Sequence, residues 1–87
     1  MNKDDQVARG QAVAYIMEEV GWDYIEEYLE KELDSLKNSL IYGEFDGIEE
    51  RNAVKKNVEF IENFLSTLDK WIEKKDEIVS AKLEDNI

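Results

Sequence analysis

The chain has 87 residues, 22 of them acidic and 11 basic for a formal charge of −11, with 43% hydrophobic and 38% charged residues and neither Cys nor His. A chain this short builds a marginal core, for which association is a common remedy, while its apolar content is too high for a disordered segment. Without thiols or imidazoles there are no disulfides, no Cys nucleophile, no His general base and no Cys/His zinc site, and the charge argues against direct binding of nucleic acid or anionic membrane.

The opening residues, MNKDDQVARGQAVAYIM, contain no basic stretch leading into an unbroken apolar run. Nowhere do about 18 apolar residues follow one another, so a cytoplasmic protein without a membrane span is expected. Residues 1–50 hold 14 acids and 4 bases and residues 51–87 hold 8 acids and 7 bases, so nearly all the net charge sits in the first half.

There is no Pro, no sustained alternation of period two, and an abundance of good helix formers. The expectation is one all-α domain, an antiparallel helical hairpin with a short additional N-terminal helix, completing a bundle by self-association. Breaks place the helices at about 4–20, 23–40 and 47–83. The first break is set at Gly21, which suits the residue after a helix end, followed by a capping-box pattern from Asp23 to Glu26. The second lies between Gly43 and Gly47, where Asp46 and Glu49 form the same pattern and Glu49 is expected to reach back.

In the second helix Leu29, Leu33, Leu36 and Leu40 recur at four-three-four spacing. The third carries Val54, Val58, Ile61, Leu65, Leu68, Ile72 and Val79 on one seam, so the two seams pack as an antiparallel pair. Trp22 points to the leucine side and reads as a core anchor. Beside the third helix's seam, about a quarter turn away, runs a second apolar line of Ala53, Phe60, Phe64, Trp71 and Ile78. This helix therefore needs two neighbours. Val13, Ile16, Met17 and Val20 of the first helix would cover part of the second line if the chain folds back at Gly21. Whatever remains open along Phe60, Phe64, Trp71 and Ile78 is the candidate interface with a second copy or another protein. The tail SAKLEDNI is expected to fray or extend.

Carboxylates are the only abundant reactive groups. Glu19, Asp23, Glu26, Glu27, Glu30 and Asp34 all read as facing away from the leucine seam, so none has the apolar pocket that acid–base catalysis requires. EFDGIEE lacks the alternating oxygen ligands of a calcium loop, and helical di-iron sites need a His. No catalytic residue, metal ligand or cofactor is expected. Arg9 and Arg51, the only arginines, each lie near a helix start, where the dipole disfavours a cation, so each is expected to pair with something; for Arg51 a carboxylate on a neighbouring helix is the simple reading. The stripe Glu19, Asp23, Glu27, Glu30 and Asp34 reads as a solvated face, or as a mimic of a nucleic-acid backbone.

The succession RGQAVAYIMEE at 9–19, YIEEYLEKEL at 24–33, FDGIEERNAV at 45–54 and the IENFLSTLDKWI that follows resembles the small helical proteins encoded among the head and packaging genes of tailed phages and prophages. The resemblance covers about residues 9–75 through loose helical patterns, and departs from the family at the first break, where Val20 and Gly21 stand in place of a frequent Pro. It implies a viral origin, a non-enzymatic role and no catalytic residues. The expected function is that of a phage-type accessory or assembly protein acting through protein–protein contacts. The alternative is an acidic inhibitor that mimics nucleic acid and blocks a host nuclease or defence complex.

Overall fold

A computed structural model describes residues 1–85 and contains three helices and no strand among them: α1 (Lys3–Met17), α2 (Val20–Tyr42) and α3 (Ile48–Asp85). The expected tail is helical as far as Asp85, and its last two residues lie outside the described part. The molecule measures 61 × 27 × 18 Å, and its long axis matches the roughly 57 Å rise expected of a 38-residue helix.

Both α1 and α2 run antiparallel to α3, one after the other, and touch each other little. Lys82 of α3 meets Asp4 near the start of α1 at 3.4 Å, and Gly10 faces Trp71 and Lys75. The short connector 43–47 then brings the end of α2 back to the start of α3, with Lys37 bridging to Glu62 at 3.2 Å. The result is a long hairpin in which one arm is α3 and the other is broken in two. The chain breaks as the sequence suggests, but it does not fold back at the break.

The break lies at Glu18 and Glu19, and Gly21 is already inside the first turn of α2. No glycine adopts a positive φ, so no left-handed cap forms. Instead Glu18 ends α1 in helical geometry, its N–H donating to the Ala14 carbonyl at 3.2 Å, and Glu19 extends at ψ 145° and accepts from the Trp22 N–H at 3.0 Å. Glu26 does not reach back to cap α2: it accepts from the Trp22 indole Nε1 at 2.8 Å. At the second connector the reaching residue is Glu50, not Glu49; its carboxylate accepts from the Asp46 N–H at 2.9 Å, and α3 opens at Ile48. The first turn of α1 is capped by Asn2, whose side chain accepts from the Asp5 N–H at 2.8 Å.

Leu29, Leu33, Leu36 and Leu40 are half-buried, as are Val54, Ile61, Leu65, Leu68 and Ile72, and Val58 is buried. The two seams thus meet as their spacing implies, except that Val79 is exposed. From Trp71 onward the covered side of α3 shifts to Trp71, Lys75 and Ile78. At 100° per residue this is about a quarter turn from the Val54–Leu68 seam. So α2 covers the first seam over the N-terminal part of α3, and α1 covers the second line over its C-terminal part. The break at Glu18–Glu19 is where the chain steps from one track to the other. That step explains why Gln6, Val7, Gly10, Val13, Ala14 and Met17 turn inward on α1 while Ile16 and Val20, expected to cover α3, are exposed.

Candidate interaction surface

The four residues of the expected interface divide into two pairs. Ile78 is 6% exposed and Trp71 is half-buried, both beneath or beside α1. That removes Ile78 from any free surface. Arg9 of α1 lies with its guanidinium carbon 4.4 Å from the centre of the Trp71 ring, and its Nε makes no hydrogen bond. Arg51 is exposed and makes no ion pair among the described residues.

Phe60 and Phe64 are 70% and 42% exposed, stacked with ring centres 6.5 Å apart. They stand on the track that α1 occupies further along, beyond the point where α1 ends. Together with Ile25 and Leu29 of α2 and Ile61 they line an apolar hollow of about 270 Å³, and a second hollow of about 310 Å³ continues along α3 past Thr67 to Trp71. Tyr28, about 60° from Ile25 around α2, is exposed on the same flank. Ile25 borders the leucine seam one turn before Leu29 and Tyr28 lies off it; neither was singled out, because their proximity to Phe60 depends on how the helices pair.

The opposite flank carries the acids. Glu19, just before α2, and Asp23, Glu27, Glu30 and Asp34 on α2 are all exposed, and the Lys37–Glu62 bridge marks the matching side of α3. Lys31 donates to Glu27 at 2.8 Å, and this hydrogen bond, aided by the opposite charge, lowers the carboxyl pKa and raises that of the ammonium. Glu26 does not belong to the acidic stripe. It takes a seam position between Trp22 and Leu29, half-buried beside the indole it accepts from. Trp22, 8% exposed, is the core anchor its position implied.

Among the described residues no group of three or more acids is placed to hold a metal ion, and no helix is long and apolar enough to cross a membrane. Fold and surface together define a class: an elongated all-α hairpin, acidic on one flank and aromatic on the other. No protein-family model, no curated protein and no solved structure matches the chain.

Proposed function

We propose that this protein works by binding protein through its aromatic flank, as a non-enzymatic accessory or assembly factor of the kind implied by its resemblance to phage-encoded helical proteins. The observation that carries the reading is the open hollow formed by Ile25, Leu29, Phe60, Ile61 and Phe64. Large aromatic side chains left in water beside an apolar hollow favour a partner that removes them from it. The thin core points the same way, since among the described residues Trp22, Val58 and Ile78 are the buried hydrophobic ones. Mimicry of nucleic acid by the acidic flank is the second reading, supported by the five exposed carboxylates from Glu19 to Asp34.

A photo-crosslinking phenylalanine analogue placed at position 64 or at position 27 separates the two in cells that express the protein. Protein adducts at 64 with none at 27 support the aromatic flank. Adducts only at 27, lost in high salt, favour mimicry, and adducts at neither position reject both readings.

A further inference from the structure

Resting on that reading, we infer that the occupant of the Phe60–Phe64 hollow is a second copy of this chain, related by a two-fold axis that passes between the two phenylalanines. Three observations lead there.

The first is area. The chain exposes 6902 Å², whereas a compact monomer of 10.2 kDa is expected to expose about 5,300 Å². The excess of about 1,600 Å² belongs to the elongated 61 × 27 × 18 Å body as a whole, and a standard interface, which takes about 800 Å² from each partner, would remove half of it.

The second is charge. A molecule of net charge −11 meets its own copy only across a face free of its acids. Glu59, Glu62 and Asp69 lie about 100° or more around α3 from Phe60 and Phe64, and Asp23, Glu27, Glu30 and Asp34 occupy the far flank of α2. Around the phenylalanines α3 presents Asn57, Asn63 and Thr67 instead, with Lys56 one turn before Phe60. The acid on this flank of α2 is Glu32. Glu32 and Lys56 are one acid and one base, so this flank carries little net charge.

The third is symmetry. A two-fold interface places one patch on itself, which requires a patch that complements itself. With the axis midway between Phe60 and Phe64, Phe60 of one copy opposes Phe64 of the second, and Asn57 opposes Thr67. The track α1 leaves vacant beside α2 is then filled by the second copy's helices, and two hairpins form a four-helix arrangement over this region.

Light scattering on a sizing column, at about 100 µM and in both low and 1 M salt, tests the inference on the full chain. The expected wild-type mass is that of two chains, undiminished in 1 M salt because the contact is apolar. F60D/F64D is expected to be monomeric, with association weakened at least 100-fold and far-ultraviolet helicity retained, since both side chains are exposed within one chain. L83D, a change at an exposed apolar residue away from the hollow, should remain dimeric. A monomeric wild type, or an F60D/F64D protein that still dimerises, overturns the inference. If the wild type is monomeric and position 64 crosslinks to a protein of different mass, the second copy is rejected while the protein-binding reading survives; if position 64 forms no adduct at all, both fail.

Discussion

Gly10 of α1 lies directly against Trp71 of α3: a Cβ at position 10 would fall well inside van der Waals contact with the Trp71 carbonyl oxygen and with the Lys75 side chain. This is the closest approach of the two helices that the described glycines mark, and it is what allows Arg9, the preceding residue, to lie over the Trp71 ring.

The two glycines of the first arm therefore respond to alanine with opposite sign. Gly10→Ala adds a methyl where a backbone carbonyl stands in the way, and overpacking of this kind costs roughly 1–3 kcal/mol, more than the helix-propensity gain of about 1 kcal/mol. At Gly21 nothing lies within 4 Å of the added Cβ and the backbone is already helical, so Gly21→Ala is expected to stabilise by roughly 0.5–1 kcal/mol. Urea unfolding of both variants checks this. A stabilised Gly10→Ala protein would show that α1 does not seat closely on α3.

Arg9 and Trp71 form one energetic unit. A double-mutant cycle with Arg9→Ala and Trp71→Ala should return a coupling of roughly 0.5–2 kcal/mol, as expected for a partly desolvated cation over an indole. Unfolding is followed by circular dichroism, because Trp71 is one of the chain's two tryptophans and the cycle itself removes it. Additive single effects would rule out the contact.

Trp22 anchors the N-terminal turn of α2 through its ring and its indole N–H. Trp22→Ala is expected to destabilise by roughly 3–5 kcal/mol, enough to unfold much of a domain this small. Trp22→Phe keeps the apolar mass but leaves Glu26 without its donor, and should fall between the two. Thermal unfolding followed by circular dichroism orders the three proteins; equal stability of Trp22→Ala and wild type would contradict the anchor.

The Glu27–Lys31 pair titrates in a direction that can be read site by site. Glu27 is depressed, so its contribution is present above the ordinary carboxylate range and is lost as pH falls through its folded value; Lys31 is raised, so its contribution is present below the ordinary lysine value and is lost as pH rises through its folded value. The pair is fully exposed, so salt weakens both shifts. Carboxyl resonances followed by NMR should show Glu27 returning to the ordinary range in Lys31→Gln and moving part of the way in 1 M salt. A Glu27 titration indifferent to Lys31 would dismiss the pair.

Much of the fold was legible in the order of residues because helical periodicity is local. The leucines at 29, 33, 36 and 40 and the seam from Val54 to Ile72 need only 3.6 residues per turn to be placed on one side, and the side is the one that is covered. The breaks were legible to within a few residues, but their chemistry was not. Gly21 suited the residue after a helix end and lies inside α2 instead, Glu50 took the task assigned to Glu49, and Glu26 turned inward to the Trp22 indole, because cap and hydrogen-bond partners are chosen by where the neighbouring helix stands.

Composition, charge and periodicity by themselves determined an all-α chain, a long third helix with two apolar lines a quarter turn apart, and a need for more than one neighbour to cover them. Only the tertiary structure decided how those lines are shared. By stepping between tracks at Glu18–Glu19, the chain covers Ile78 and leaves Phe60 and Phe64 open. Periodicity assigns a residue to a side of its own helix, but which length of that side meets water depends on where another helix begins and ends against it.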